Sequence, residues 1–507
     1  MKTHSRSSSL RLLALVAGAL LHGPVLLAEL VAITVDGSQT FQRIEGFGTA
    51  VYPHSQAIRD TYAAGKVQGM YVEDLGFNML RVNFGFHEIP EIEDPAEIGP
   101  EDIEPHWKAA IYTDFAKAIR ALDPNIRIIG TVWTPPSWMK VNNSNANGLA
   151  RGENSAISAQ SYFNSKMDKE DPNRVRADRV EHFVRWCAAV AAYWKEQGIE
   201  FYALSPGNEV RFSQWYNSCV WTAEDYAAML PKLRQALEDA DLGDTIIFGP
   251  ETMTKHVHAS ATGGYIDAIY AKPEARAALD RFATHGYEDG TTPDMAASSS
   301  FALVERLAAV NNDKPIWMTE GGTGEHGHPV VFSIEGLATG IHNALVAGHV
   351  STFVPWQVTG PDARSQNILI GDRMNHKGAA FAHFARAIPV DALRIQAEPA
   401  FGDLLASAYQ HPDTGELAIV LVNPHAKPRA VELNVENVEN VGAVATFAAW
   451  KSNATDLFAE ADPMPATGGK LRFTMEAHSA LSLVSKPAVA AASEARATGE
   501  LAQAASQ

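Results

Sequence analysis

The sequence predicts a (β/α)8 TIM barrel, of α/β class, with a fused antiparallel side β-domain. Three observations carry this prediction. Eight apolar, strand-like runs alternate with amphipathic helical stretches between about residues 33 and 390, the pattern of repeated parallel β-α units. Several of these runs end in Glu, Trp, His or Tyr, as strands feeding one functional rim of a barrel do. Beyond about residue 390 the helical period disappears, and short alternating runs separated by turn residues take its place.

Taken in order, the chain opens with Lys2, Arg6 and Arg11, followed by the apolar run LLALVAGALL at 12–21. A basic start before a short apolar core predicts a signal peptide over 1–28, with cleavage near Ala28 and a secreted or periplasmic protein. The run is too short to span a bilayer, and no later segment has about 18 apolar residues, so no membrane span is expected in the mature chain. An uncleaved N-terminal anchor is the alternative. No Cys stands near the cleavage region, which argues against a lipid linked through cysteine.

Residues 29–45 are expected to form N-terminal strand structure joining the side domain, through AITVDGSQTFQ at 32–42. The catalytic barrel is expected over 46–390. Its strands are RIEGFG (43–48), MLRVNFGF (79–86), RIIGTVWTPP (127–136), FYALSPGNE (201–209), TIIFGPE (245–251), RFATHGYED (281–289), PIWMTEGG (315–322) and STFVPWQV (351–358). Eight such units fit a closed barrel better than an open sheet. Helices fill the gaps. The stretch 180–198 has helical apolar spacing and ends in Gly198, a C-cap residue. The stretch 223–240 contains Pro231, which should kink it, and 336–348 precedes the eighth strand.

One connection is long. About forty residues rich in Asn, Ser and Gly separate Trp138 from the helix near Val180. A loop of that length in a compact domain is functional or disordered, and here it leaves the third strand as a candidate wall of a cleft. The side β-domain is expected over 391–487, from LLASAYQ, ELAIVLVNP, RAVELNVE, AVATFAAW, KLRFTME and SALSLVS. Residues 488–507, rich in Ala, Ser and Glu without aromatics, read as a disordered tail.

The chain has 507 residues and a net charge of −18. So acidic a chain argues against nucleic acid and anionic membranes as partners; a polyanionic substrate would need a local basic patch. Cys187 and Cys219 are the two cysteines. They form no disulfide framework and have no metal-ligand spacing, and two separate thiols are expected. The sequence does not fix the oligomeric state.

Glu209 and Glu320 end the fourth and seventh predicted strands. Two carboxyls facing one another across a barrel mouth are the minimum apparatus for breaking a glycosidic bond: one protonates the leaving oxygen, the other attacks or stabilises the anomeric carbon. A separation of about 5–5.5 Å would make the reaction retaining. Asn208 beside Glu209 can hydrogen-bond a sugar hydroxyl. Tyr287, two residues after His285, can donate to Glu320, and Arg81 can act on it by charge. Trp133 and Trp356 end the third and eighth strands, and flat aromatic faces suit the apolar C–H face of a sugar ring. Each of these residues alone has a structural reading: Glu as a salt-bridge member, His285 as a core histidine, the tryptophans as core. Their shared position at strand ends favours the chemical one. The expected partner is therefore a carbohydrate substrate.

No phosphate-binding glycine loop or His-Cys cluster is present, so no cofactor and no metal is expected. GEHGHP at 324–329 places His326 and His328 beside Glu325, a spacing more often incidental. Arg364 and Arg373, after the eighth strand, could bind an acidic sugar branch or be plain surface residues.

IEGFGTA, GTVWTPPSWMK, LSPGNEV and MTEGG resemble signatures of glycoside hydrolase family 30. The family's crossing into its side domain resembles FAHFARAIP at 381–389, and that domain's strands resemble LVNPHAKP and MEAHSALSLV. The resemblance spans roughly 33–487, and WTPPSWMK is its most specific piece. It implies Glu209 as acid/base and Glu320 as nucleophile, a retaining mechanism on a β-linked glycoside, and a side β-domain built from both ends of the chain. Two positions depart from the pattern: Gly207 stands where Gln is common, and Glu45 where Asp is common. The long loop after Trp138 is also unusual. These departures leave the sugar and linkage open. A carbohydrate-binding barrel without activity, or a transglycosylase using the same residues, are the alternatives to hydrolysis.

Overall fold

The computed structural model describes residues 30–149, 171–253, 262–287, 299–321, 334–361, 367–438 and 444–485. The expected signal peptide, the middle of the loop after Trp138, Glu325, His326, His328, Arg364 and the expected C-terminal tail lie outside the described residues.

Setting two-residue strands aside, β1 spans Leu30–Arg43 and belongs to the side domain. The barrel strands follow as β2 (Gly46–Ala50), β3 (Met79–Asn83), β4 (Arg127–Thr131), β5 (Phe201–Ser205), β6 (Ile246–Met253), β7 (Arg281–Gly286), β8 (Ile316–Gly321) and β9 (Val350–Phe353). Each falls within or overlaps one of the eight predicted runs. They pair in parallel in chain order, and β9 closes the barrel on β2 through Thr352↔Gly46 and Phe353↔Phe47. Burial on both faces explains why these strands read as apolar runs rather than as alternating ones.

Met79, Ile129, Ala203, Phe248, Ala283, Trp317 and Val354 fill the barrel interior. Small Ala203 and Ala283 leave room for Trp317 and Phe248, the mixing of sizes that packs a closed barrel. At Gly48 a Cβ would lie 1.9 Å from the Met79 carbonyl oxygen, so only glycine lets β2 approach β3. The barrel's N-terminal end is plugged by buried Glu45, whose carboxylate accepts from Arg281 Nε at 3.1 Å and Trp317 Nε1 at 3.3 Å. That gives the Glu at this position a structural role, far from the opposite rim.

The helix Val180–Glu196 ends before Gly198, whose φ of 84° makes it the left-handed cap the sequence predicts. The helix Ala223–Asp239 starts at Thr222, whose hydroxyl accepts from Asp225 N, and is continuous through Pro231.

The side domain is a nine-stranded closed sheet. After β1 it comprises β10 (Leu393–Glu398), β11 (Leu405–Gln410), β12 (Leu417–Asn423), β13 (Arg429–Glu436), β14 (Val444–Ser452), β15 (Ala459–Thr467), β16 (Lys470–Met475) and β17 (Ser479–Ser485). Its pairings are antiparallel except for β1 on β13, in register from Leu30↔Ala430 to Asp36↔Glu436. β1 also pairs antiparallel with β10, so the chain's first described strand sits between strands that follow the barrel in sequence. Sequence reading missed β10 and β15. Pro463 and Pro465 in β15 argue against a strand, but Pro463 falls in the bulge between Phe447 and Ala449 of β14, where ladder bonds are interrupted. Cys187 and Cys219 are both buried and unpaired. Among the described residues no helix is long and apolar enough to cross a membrane.

Candidate active site

The eight residues expected to act on a sugar lie on barrel strands or just beyond their C-terminal ends. Arg81 is on β3, Trp133 follows β4, Asn208 and Glu209 follow β5, His285 is on β7 and Tyr287 follows it, Glu320 is on β8, and Trp356 follows β9. Seven of them meet in a single network, with Arg81 at its centre. Its Nη1 donates to Glu320 Oε1 at 2.6 Å, its Nη2 to Asn208 Oδ1 at 2.7 Å, and its Nε to Thr131 Oγ1 at 3.1 Å. The guanidinium lies over the Trp133 ring, 4.5 Å from its centroid. Arg81 is wholly buried, and such a cation persists only where every donor has a partner.

The other Glu320 oxygen accepts from Tyr287 Oη at 2.6 Å. Glu320 is thus held from both sides in one orientation. Glu209 accepts from His285 Nδ1 at 3.1 Å, and the same nitrogen is 3.6 Å from Glu320 Oε2. One oxygen of each glutamate and a His285 nitrogen all lie within 4.8 Å of one another. Trp356 contacts Trp133 at 5.9 Å between centroids and Tyr52 at 5.4 Å, forming an aromatic side to the site.

Sequence reading missed Glu251. It lies in β6 after Pro250, is fully buried, and pairs with Arg81 Nη2 at 3.0 Å and His285 Nε2 at 3.5 Å. The signal was present, since TIIFGPE also ends an apolar run in Glu. Glu209, Glu251 and Gln357 all adopt positive φ, at 45°, 56° and 37°. Non-glycine residues adopt this conformation at a cost of roughly 1–2 kcal/mol each, and persist there when their surroundings fix them. Gly207 permits the local turn before Glu209: a Cβ there would lie 2.4 Å from Val210 Cγ1.

Electrostatics separates the carboxyls. Burial raises the pKa of Glu209, and Glu320 adds to this, against the hydrogen bond and charge of His285. For Glu251, burial is outweighed by Arg81 and His285, which bring it down to about 2. Burial opposes the charge on His285, yet Glu320, Glu209 and Glu251 together push it up to about 9, so it is an imidazolium at neutral pH. Two cations therefore stand among three carboxyls; burial favours a proton on Glu209, while Arg81 and His285 favour an ionised Glu251.

The trio Glu209, His285 and Glu320 has the span of a metal site. Its chemistry fits one poorly, because an imidazolium is no ligand and both oxygens of Glu320 already accept from Arg81 and Tyr287.

Two walls were also missed. Trp215 and Tyr216, on the loop after Glu209, expose 41% and 38% of their surface and pack edge to face at 5.6 Å. Burial raises the Tyr216 pKa, and the charges of Glu209 and Glu320 raise it further. Beneath this loop, buried Lys140 donates to Asn173 Oδ1 at 2.6 Å, the Ser218 carbonyl at 2.7 Å and Thr134 Oγ1 at 3.2 Å. One ammonium thus ties together both described ends of the long loop and the loop carrying Glu209. Arg373 is exposed, and the structure brings it into none of these contacts.

No family model matches the sequence. A Caenorhabditis elegans protein named "Putative glucosylceramidase 3" is 24% identical over 402 residues, 72% of this chain and 70% of its own length. The xylanase Xyn30A of Clostridium acetobutylicum, from glycoside hydrolase family 30 subfamily 8, is similar in structure, with a TM-score of 0.66 at 20% identity. It is matched over 90% of this chain and 99% of its own. A conserved exported protein from Bacteroides fragilis reaches a TM-score of 0.71 at 15% identity, over 90% of this chain and 100% of its own. An endo-β1,6-glucanase reaches 0.65 at 17%, over 90% and 94%. The strand-end network, the barrel closed on itself and the side domain built from both chain ends are thus met together: the chain has the two-domain fold of glycoside hydrolase family 30, the family its motifs resemble.

Proposed function

We propose that this protein is a family 30 glycoside hydrolase that cleaves β-linked oligo- or polysaccharides with retention of configuration. One observation carries the reading: Glu209 and Glu320 bring carboxyl oxygens within 4.8 Å of each other and of the His285 ring. Carboxyls about 5–5.5 Å apart leave no room for a water between nucleophile and sugar, so one of them must attack directly.

In this mechanism Glu320 attacks the anomeric carbon while Glu209 gives its proton to the leaving oxygen. The glycosidic C–O bond breaks and a glycosyl ester forms on Glu320. Glu209, now ionised, takes a proton from water as that water attacks the anomeric carbon, releasing Glu320 and restoring the acid. Arg81 and Tyr287 fix the attacking carboxylate. The raised pKa of Glu209 suits the donor. Asn208 would meet a sugar hydroxyl beside the reacting carbon, and Trp133 and Trp356 would meet the ring face. Trp215 and Tyr216, exposed on the loop after the acid, would meet the leaving group. Action outside the cytoplasm follows from the basic and apolar N-terminal residues, Lys2 to Leu21.

The test is hydrolysis of a panel of aryl β-glycosides and polysaccharides by wild type, Glu209→Ala and Glu320→Ala, with the first-formed anomer read by proton NMR. A β anomer appearing first, and its loss in Glu320→Ala, are expected. An α anomer first, or undiminished turnover in both variants, would refute the proposal.

A further inference from the structure

A cleft of about 660 Å³ lies at the base of the barrel, at the strand ends opposite those that lead to Glu209 and Glu320. The N-terminal parts of β5, β7 and β8 line it through Tyr202, Arg281 and Ile316. Both connections between the barrel and the side domain line it as well: Gln42 and Arg43 end β1, and Asp391 stands two residues before β10. The helix Ser299–Ala309 contributes aliphatic surface through Val304, Leu307 and Ala308. Small-molecule sites have volumes of about 300–1,000 Å³ and combine apolar lining with a few polar groups. This cleft has both properties.

The three carboxylates that line the cleft are already held by cations. Glu45 accepts from Arg281 Nε with both oxygens at 3.1 Å, Asp391 pairs with Arg127 at 2.8 Å, and Asp313 pairs with Arg276 at 3.1 Å. Two cations are left over. Arg43 donates to the Asp391 carbonyl at 2.8 Å and meets no carboxylate among the described residues. Lys314 exposes 18% of its side chain, and its ammonium has no hydrogen-bond acceptor among the described residues. Its ion-pair contact is Asp313 Oδ2 at 3.9 Å, on the carboxylate that Arg276 holds. A mostly buried ammonium with unmet donors carries a cost that an anion in the cleft would offset. Spare cationic donors beside aliphatic lining fit an anionic head on an apolar body. A single negative charge fits better than two, because Asp313 and Asp391 stand beside the two cations and repel a dianion more strongly.

We propose that this cleft is a second, non-catalytic binding site for a monocarboxylate with an apolar body, of the aryl-alkanoic or medium-chain fatty acid class. The carboxylate pairs with Lys314, Arg43 adds positive charge, and the apolar body lies against Val304, Leu307 and Ala308. Because both interdomain connections line the cleft, its occupant also ties the side domain to the base of the barrel. The inference does not depend on the glycosidase reading.

The test is titration of the full chain with octanoate and 4-phenylbutyrate, followed by calorimetry and thermal melting. Octanamide, 4-phenylbutyramide and phenyl phosphate are the comparison ligands. A charge-assisted hydrogen bond predicts that each acid binds roughly tenfold more tightly than its amide, and the bound acid should raise the Tm. Lys314→Gln should abolish the preference for acid over amide, and Lys314→Arg, which keeps the charge, should retain it. Ala308→Trp, at an exposed position, should fill the cleft and weaken acids and amides alike. The melting of each variant without ligand reports its folding. No saturable binding of either acid below about 1 mM would overturn the proposal, as would amides bound as tightly as acids. So would phenyl phosphate bound more tightly than 4-phenylbutyrate, or acid binding unchanged in a folded Lys314→Gln or Ala308→Trp.

Discussion

Arg81 and Glu251 form an ion pair at 3.0 Å in which neither side chain has any exposed surface. Glu251 contacts none of the space where a sugar ring would react, yet it balances the guanidinium that holds Glu320 and Asn208. Glu251→Gln should therefore destabilise the fold by roughly 3 kcal/mol, the scale of breaking a buried pair while leaving one charge in place. It should also lower kcat, because Arg81 is freed to shift. Urea unfolding beside steady-state kinetics checks both; a stability change under about 0.5 kcal/mol would show that the pair contributes nothing of this kind.

His285 supplies a pH dependence whose sign follows from its raised pKa. The folded imidazolium holds its proton up to about 9, against 6.5 for the free side chain. Its contribution to stability is then fully present below about pH 6.5 and is lost as pH rises through about 9. Activity should fall over the same upper range, as His285 loses the charge that offsets Glu209 and Glu320. Glu251→Gln removes one of the carboxylates that raise His285, so the alkaline limb of its kcat profile should move to lower pH. An alkaline limb identical in the two proteins would contradict this.

Tyr287→Phe removes the hydroxyl that donates to Glu320 Oε2 at 2.6 Å. A hydrogen bond to a charged group contributes about 1.5–3 kcal/mol, so kcat should fall roughly ten- to a hundredfold with folding intact. Activity within twofold of wild type would show that Arg81 alone holds the carboxylate.

Lys140→Met breaks the tie among Asn173, Ser218 and Thr134. Leaving buried acceptors unmet costs about 1–3 kcal/mol, and the loop bearing Trp215 and Tyr216 loses its anchor. KM for substrates with a large leaving group should rise more than KM for a small aryl glycoside. Equal effects on the two would mean that Lys140 serves stability alone.

Much of this was legible in the sequence because barrel strands are buried on both faces and announce themselves as apolar runs. The eight strands emerged from that signal, and the same strand ends supplied Arg81, His285, Tyr287, Glu209 and Glu320. Glu251 escaped although its run was recognised, because chemistry on a sugar needs two carboxyls, and a third, serving as counter-charge to Arg81, has no signature of its own. Trp215, Tyr216 and Lys140 escaped for another reason: their neighbours come from loops distant in sequence, and no local pattern records that Lys140 meets Ser218. β15 was hidden by its two prolines, of which Pro463 falls at the bulge opposite while Pro465 stands in register with Thr446.

The central claim, that Glu320 is the nucleophile, is tested most directly by trapping. The protein would be incubated with a panel of 2-deoxy-2-fluoro β-glycosyl donors, whose fluorine slows breakdown of a glycosyl ester, and then analysed by intact and peptide mass spectrometry. The account predicts one added sugar per chain, on the peptide containing Glu320, and none in Glu320→Gln. Turnover-linked labelling of Glu209 or Glu251 instead would contradict it.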